Sequence, residues 1–241
     1  MNEKRTGEAH TPLICRLLTD LALAALAAGL FFALCAADSA ASAPGRGRLA
    51  AASVNAAVYR GQSRGRAALL CSVGWNAASM ETILRTLDDS GARITFAVTA
   101  RWAEQNPRLL EKIGAGGHEI AVMADAYGSV ETEAELQRAV GAIEAACGAR
   151  PTLFYCGDEY TPAKRRAAKA LGLIPVVGTL DLICIRGSAE DIFRRAAGNT
   201  KAGDIAVCTP TAAFSDALPR ILEYYSGMGL TAATVSGTIY D

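Results

Sequence analysis

The feature of this sequence that most constrains its fold is a regular alternation of short apolar runs with longer amphipathic patterns. A unit of this kind recurs about every 25 to 30 residues between residues 58 and 236. The apolar runs are continuous, which is typical of strands buried on both faces of a parallel sheet, and the intervening patterns predict helices that cover that sheet. Seven or eight such units in about 180 residues favour a closed arrangement. The predicted fold class is therefore α/β, a distorted (β/α)7-8 barrel.

The predicted elements follow from the spacing of apolar residues and from glycine and proline stops. Strands are predicted at 54–59, 67–72, 94–99, 118–123, 152–155, 174–177, 182–185, 204–208 and 230–235. Helices are predicted at 80–90, 104–113, 131–146, 162–171, 189–197 and 214–225. In a parallel α/β fold the reactive side chains lie at the carboxyl ends of the strands, so candidate site residues are sought there.

The amino-terminal part of the chain predicts a membrane anchor or an export signal. Residues 21–37 form an uncharged apolar run between Asp20 and Asp38, about 25 Å long as a helix. The predicted organisation is a short cytoplasmic tail at 1–12, the transmembrane or signal segment at 13–41, a linker rich in Ala, Gly, Ser and Arg at 42–57, and a globular domain at 58–241. Small residues at 39–43 also suit a signal peptidase, so retention and cleavage both stay open. A buried core helix is the alternative.

Charge and cysteine usage exclude several classes of protein. The chain has 24 basic and 24 acidic side chains and no net charge, so no overall field attracts a polyanion and nucleic acid is not an expected partner. Its seven cysteines contain no Cys-x-x-Cys pair, which argues against a zinc ribbon and against a small disulfide scaffold.

Several stretches together resemble the polysaccharide deacetylase family, the NodB-homology fold, and in particular its sporulation-type branch. They are ALLCSVGW at 68–75, GARITFAVT at 91–99, NPRLLEKI at 106–113 followed by GHEI at 117–120, CGARPTLF at 147–154, ALGL at 170–173, ALPRIL at 217–222 and GLT at 229–231. The resemblance covers about 58–236 and rests on the order and spacing of these stretches. It implies a deacetylase-type barrel on the extracytoplasmic side of a membrane, or a secreted protein if the signal segment is cleaved.

The family's chemistry depends on residues that this sequence replaces. The resemblance implies a divalent metal held by an Asp and two His, a second Asp as base, an Arg that supports the base and a late His as acid. The base and metal Asp fall on Ser72 and Val73, and the two metal His fall on Met123 and Tyr127. The Arg and the late His fall on Tyr155 and Thr209. We therefore predict no catalytic set, no metal site and no cofactor, with the family's zinc or other divalent ion lost.

Polar and aromatic residues near the same strand ends are tentative substrate-binding residues: Trp75, Tyr127, Asp158 and Asp181. Asp181 stands where the family's fourth motif has an acidic residue, and its alternative role is a loop cap. Aromatic rings such as Trp75, Tyr155 and Tyr160 stack on sugars or simply pack, and Asp158 with Glu159 fits a solvated loop equally well. The sequence leaves these alternatives open.

The remaining histidine and the cysteines are predicted to be structural. His118 belongs to the GHE stretch, where the resemblance implies a packing and hydrogen-bonding role. Cys71, Cys156 and Cys208 fall at or beside strand ends, where they suit a thiolate metal site or a nucleophile. Buried free cysteine usually behaves as a small apolar residue, however, so core packing is favoured.

Two function classes therefore compete. In the first, the protein is a membrane-tethered pseudoenzyme of the cell envelope or spore that binds peptidoglycan, another glycan or an envelope partner. In the second, it is a hydrolase that removes N-acetyl groups from peptidoglycan or a related polysaccharide through a rearranged site. The missing acid, base and metal ligands favour the first class.

Overall fold

The described part of the protein is built on a parallel sheet. The computed structural model describes residues 56–75, 78–125 and 132–240. Its strands are β1 (Arg66–Val73), β2 (Thr95–Val98), β3 (Glu119–Met123), β4 (Leu153–Tyr155), β5 (Ile174–Val176), β6 (Leu180–Asp181), β7 (Ile205–Cys208) and β8 (Thr231–Ala233). They follow the order β5-β4-β3-β2-β1-β7-β6, β8 pairs with β1 off this path, and every pairing is parallel. The predicted α/β fold is confirmed, with the sheet curled toward a barrel.

Helices connect successive strands. They are α1 (Met80–Asp89), α2 (Ala100–Gln105), α3 (Pro107–Ala115), α4 (Thr132–Cys147), α5 (Pro162–Leu171), α6 (Ala189–Asn199), α7 (Ala212–Gly227) and α8 (Val235–Ile239). The predicted helix at 104–113 was wrong in its bounds. Thr99 caps α2 directly after β2 by accepting a hydrogen bond from the Trp102 amide, and Pro107, which lacks an N–H, begins a separate helix.

Two predicted strands also differ from the structure. The strand at 182–185 is a loop, because β6 ends at Asp181 and Ile183 takes a left-handed φ of 52°. The strand at 230–235 ends at Ala233, because Thr234 caps α8 by accepting a hydrogen bond from the Gly237 amide.

The two faces of the sheet bury different residues. Leu69, Cys71 and Val73 of β1 belong to the core shared with the helices. Successive side chains of a strand point to opposite faces, so Leu70 and Ser72 face the interior of the curled sheet. The interior is filled by buried residues of neighbouring strands: Ala68, Leu70, Ala97, Ala121, Leu153, Tyr155, Val176, Ile205 and Val207.

A short segment before β1 crosses from the edge strand β5 to the start of β7. The Val58 amide donates to the Pro175 carbonyl of β5 at 2.8 Å, and the Val177 amide donates to the Val58 carbonyl at 2.9 Å. Three residues later the Gly61 amide donates to the Gly203 carbonyl, just before β7, at 2.7 Å. The predicted first strand at 54–59 is thus a single bridge at Val58 in the part that the structure describes.

Most of the predicted amino-terminal organisation lies outside the described residues, including the transmembrane or signal segment at 13–41 and residues 42–55 of the linker. Within residues 56–75, 78–125 and 132–240, no helix is long and apolar enough to cross a membrane.

Candidate functional site

Two hydroxyl groups meet at the carboxyl ends of β1 and β7. Ser72 lies one residue before the end of β1, and Thr209 follows β7 directly. The Ser72 Oγ lies 3.2 Å from the Thr209 Oγ1 and 3.1 Å from the Cys208 carbonyl oxygen, to which it donates. The structure thus brings together the two positions that the resemblance assigns to the catalytic base and acid. Both side chains are half-buried.

The predicted metal-ligand positions do not converge in the same way. Val73 is fully buried in the core between the sheet and the helices, so its side chain lies on the face of β1 opposite to Ser72. Met123 ends β3 and is half-buried. A Cβ placed on Gly74 would lie 3.8 Å from the Met123 methyl group, so this thioether packs against the end of β1. Tyr127 lies outside the described residues.

Tyr155, Asp158 and Asp181 form the next part of this end of the barrel. Tyr155 is buried at the end of β4, next to Met123 in the register. Burial raises the pKa of Tyr155 well above its usual range, and the charges of Asp158 and Asp181 add to this effect. Asp158 and Asp181 are themselves exposed. The Asp181 Oδ1 accepts a hydrogen bond from the Ile183 amide at 2.7 Å, which is the loop-cap role that the sequence left open.

Exposed apolar side chains surround the same end. Trp75, two residues after β1, is 73% exposed, and Ile185, in the loop after β6, is 70% exposed. The loop is held by a hydrogen bond of 3.1 Å from the Thr211 hydroxyl to the Cys184 carbonyl. Sequence reasoning found Trp75 but missed Ile183 and Ile185, because their alternation with buried Leu182 and Cys184 imitates a strand.

A buried carboxylate after β3 was also missed. Glu135, in the first turn of α4, is 7% exposed, and its Oε1 accepts a hydrogen bond from the Asp125 amide at 2.5 Å. Burial raises the pKa of Glu135. Asp125 forms an ion pair of 3.7 Å with Arg101 of α2. These contacts hold the chain where it leaves β3, and no motif in the sequence indicates them.

The cysteines face the helices rather than the strand-end mouth. Cys71, Cys156, Cys184 and Cys208 are buried free thiols of the shared core. Burial raises the pKa of Cys156 and of Cys184 to about 12, and it also raises the pKa of Cys208 well above its usual range. Neutral thiols of this kind are poor ligands and poor nucleophiles. The contacts agree with core packing.

His118 is likewise a packing residue. Its Nδ1 accepts a hydrogen bond from the Ile94 amide at 3.3 Å, and its ring meets the Phe96 ring edge to face at a centroid distance of 5.4 Å. Burial, together with the charge of Arg93, lowers the pKa of His118 to about 4. The ring lies before β3, at the end of the barrel opposite to Ser72.

The residues present do not fit the divalent metal that the resemblance implies. Of the three ligand positions, Val73 points into the core and Met123 offers a thioether, which is a poor donor for a hard cation. In the part of the chain that the structure describes, no three His, Cys, Asp or Glu side chains lie close enough to hold a metal ion.

Comparisons with known proteins agree with this fold. Residues 62–176 match the family model for polysaccharide deacetylase. A search of curated proteins gave no match. Among solved structures, a CE4 family pseudoenzyme from Bacillus anthracis is 20% identical, with a TM-score of 0.71 over 77% of this chain and 69% of that one. A mutant of that pseudoenzyme with restored enzymatic activity is also 20% identical, with a TM-score of 0.72 over 77% of this chain and 71% of that one.

The structure of a peptidoglycan deacetylase shares the architecture as well. The peptidoglycan deacetylase PdaC from Bacillus subtilis, as a mutant, is 20% identical, with a TM-score of 0.66 over 73% of this chain and 90% of that one. At this identity the structures establish the fold, and the sporulation-type branch stays a prediction. Residues 62–176 therefore form a polysaccharide deacetylase (NodB-homology) domain, and the described chain has the fold that these structures share.

Proposed function

We propose that the protein is a catalytically degenerate member of this family, tethered to a membrane through residues 13–41 and binding glycan of the cell envelope at the mouth of its barrel. The observation that carries this proposal is the pair of hydroxyl groups of Ser72 and Thr209, 3.2 Å apart, at the positions of the family's base and acid. Neither hydroxyl titrates near neutral pH, so neither takes up or releases a proton in a hydrolytic step.

Three other described groups at this end are neutral or already engaged. Glu135 is engaged with the Asp125 amide, and the raised pKa of Tyr155 keeps its phenol neutral. The Asp181 carboxylate caps its own loop. A general acid or base contributes about 10²- to 10⁴-fold to a hydrolytic rate, and a metal-bound water contributes more.

The rim of the mouth supports glycan as the ligand. Trp75 is exposed three residues after Ser72, the Asp158 carboxylate follows β4, and the Asp181 carboxylate ends β6, with both charges acting on Tyr155. An exposed indole stacks on the apolar face of a sugar ring, and carboxylates accept hydrogen bonds from sugar hydroxyls. The structurally similar Bacillus subtilis protein is a peptidoglycan deacetylase, which makes peptidoglycan the first glycan to test. We place the barrel on the extracytoplasmic side of the membrane, or outside the cell if the segment is cleaved.

Removal of the Trp75 indole is expected to weaken glycan binding. We expect Trp75→Ala to raise the Kd for purified peptidoglycan about tenfold, because the indole is the largest exposed apolar side chain among the described residues of the rim. Cosedimentation of the full chain in detergent with insoluble peptidoglycan measures this. Met228→Ala is the control, since Met228 is 62% exposed but follows α7 at the opposite end of the barrel. Equal loss in both variants, or no binding by the wild type, contradicts the proposal.

Removal of divalent metal ions is expected to change neither the thermal stability nor the activity of the protein. We expect EDTA to leave the Tm of the full chain unchanged, and we expect no acetate release from N-acetylated peptidoglycan with or without added zinc, because Val73 and Met123 offer no metal donor set. Differential scanning calorimetry and an acetate assay measure the two quantities, with an active family deacetylase as the positive control. Metal-dependent acetate release favours the alternative, a hydrolase with a rearranged site.

A further inference from the structure

The exposed face of α5 carries cations without matching acids. Arg165, Arg166 and Lys169 are all exposed, while Ala167 and Ala168 are buried against the sheet. Among the described residues, none of the three cations lies within 4.0 Å of a carboxylate oxygen. Some exposed arginines of other helices are paired, as Arg138 is with Glu104 and Arg220 with Glu190, whereas Arg85 and Arg108 are, within the described part of the chain, single unpaired cations on α1 and α3. The α5 helix differs because it carries three such cations within five residues.

The helix is held rigidly in place. Thr161 caps α5 by accepting a hydrogen bond from the Lys164 amide, and Gly172 ends the helix in the left-handed conformation. The Lys164 ammonium does not join the exposed cations. It donates to the Cys156 carbonyl at 2.6 Å and to the Glu159 carbonyl at 2.9 Å, which ties the helix to the end of β4. The remaining cations thus form a surface of fixed position.

The chain enters the barrel beside this surface. Val58 pairs with β5, the strand that directly follows α5. Tyr59 is 58% exposed, and the Thr179 hydroxyl donates to its carbonyl at 2.7 Å. Tyr160, just before α5, interacts electrostatically with both Tyr59 and Arg165. The exposed Tyr59 ring therefore lies near the start of α5, the end of the helix that carries Arg165, where the linker meets the domain.

We propose that Tyr59, Arg165, Arg166 and Lys169, which we name the α5 face, bind the surface of an anionic phospholipid membrane. Lysine and arginine near such a surface are attracted to lipid phosphates, and tyrosine favours the membrane–water interface. The only other exposed side chains along the helix are small, which allows a close approach of headgroups. This inference rests on the proposed membrane tether, because the segment at 13–41 is separated from Val58 by the 16 residues 42–57, which span at most about 55 Å and so keep the domain near the membrane surface.

The chemistry favours lipid over an anionic polymer of the envelope. A polymer requires only the cations, whereas an interface also uses the exposed Tyr59 ring and the adjacent linker. Because α5 runs alongside the sheet, docking through this face directs the barrel mouth along the membrane surface and leaves Trp75 accessible to glycan.

Arginine modification of the full chain in lipid nanodiscs tests the proposal. The chain is inserted into discs of phosphatidylcholine alone or with 30% phosphatidylglycerol, and phenylglyoxal modification is followed at each arginine by mass spectrometry. We expect modification of Arg165 and Arg166 to slow about tenfold in anionic discs, and 0.5 M NaCl to abolish this protection. Arg85 and Arg108, which are exposed on α1 and α3, serve as internal controls and are expected to be unaffected.

A charge-matched pair of variants completes the test. Arg165→Gln, Arg166→Gln and Lys169→Gln together are expected to remove the preference for anionic vesicles, whereas Arg85→Gln, Arg108→Gln and Arg186→Gln together are expected to retain it. Equal modification rates in both discs, protection at Arg85, or protection that appears only with an added anionic polymer overturns the proposal. Failure of the tether is a separate outcome, since it appears as a chain that does not float with phosphatidylcholine vesicles.

Discussion

Replacement of Ser72 by aspartate, the residue that the family has at this position, is expected to lower the free energy of unfolding at pH 8 by about 3 kcal/mol. The Ser72 hydroxyl donates to the Cys208 carbonyl at 3.1 Å. An ionised aspartate cannot donate, so its charge would face that carbonyl oxygen in a half-buried site. The folded-state pKa of the new carboxyl would therefore lie above its usual value of about 4.

The sign of the pH dependence separates charge repulsion from lost packing. When the folded-state pKa is raised, the penalty is complete above that pKa, shrinks as the pH falls, and disappears below about pH 4, where the carboxyl is protonated in both states. Urea unfolding of the full chain in detergent, compared with wild type at each pH, measures it. Asparagine has nearly the volume of aspartate but no charge, so Ser72→Asn is expected to lower the free energy of unfolding at pH 8 by less than half as much, and by the same amount at lower pH. A stable aspartate variant at pH 8 would mean that an unrecognised cation occupies the site.

Restoring all five residues of the family's site is expected to lower the free energy of unfolding more than Ser72→Asp does alone. Ser72→Asp, Val73→Asp, Met123→His, Tyr127→His and Thr209→His together add a carboxylate at Val73, which lies in the core between the sheet and the helices. A charge there would have to leave the core or reorganise the end of β1 before it could meet a metal.

Acidification is expected to destabilise the folded chain through His118. Its folded pKa of about 4 lies below the ordinary value of 6.5 because the ring is buried. Between these values the unfolded chain binds a proton that the folded chain does not, so stability is complete above about pH 6.5 and falls as the pH drops toward 4. Each unit between the two pKa values is worth about 1.4 kcal/mol, which gives a total loss of about 3 kcal/mol.

A glutamine variant isolates this effect. His118→Gln keeps an acceptor for the Ile94 amide but does not titrate. Its free energy of unfolding, measured with urea at pH 7 and pH 5, is expected to change much less over this interval than that of wild type. The only other histidine of the chain is His10, so an equal slope in both proteins would exclude His118 as the source.

The sequence predicted the elements whose apolar pattern matches their burial. Continuous apolar runs identified β1, β2 and β3, because each is covered on both faces. The loop after β6 was mistaken for a strand because Leu182 and Cys184 are buried on alternate positions, yet the fold there depends on Asp181 accepting the Ile183 amide and on the left-handed φ of Ile183.

The candidate site was less accessible to sequence reasoning, for a topological reason. Ser72 and Thr209 are 137 residues apart, and their contact follows from the pairing of β1 with β7, which no local pattern indicates. The opposite orientations of Ser72 and Val73 were also missed, since the alignment of a motif gives positions but no side-chain directions. The loss of the family's charged residues, in contrast, is visible in the sequence itself.

The segment from Val58 to Gly61 has a consequence for how the protein avoids self-association. A curled sheet that stops short of closure presents unpaired strand edges, which recruit strands of other molecules. Here Val58 occupies the free edge of β5, and the Tyr59 carbonyl accepts a hydrogen bond from the Thr179 hydroxyl directly before the other edge strand, β6, so the chain's own entry segment covers the space between the two edges. The fit is close, because a Cβ on Gly61 would lie 2.4 Å from the Thr238 side chain. A shortened chain that begins at residue 62, where the family match begins, would lack Val58 and leave the edge of β5 unpaired, which favours aggregation through that edge.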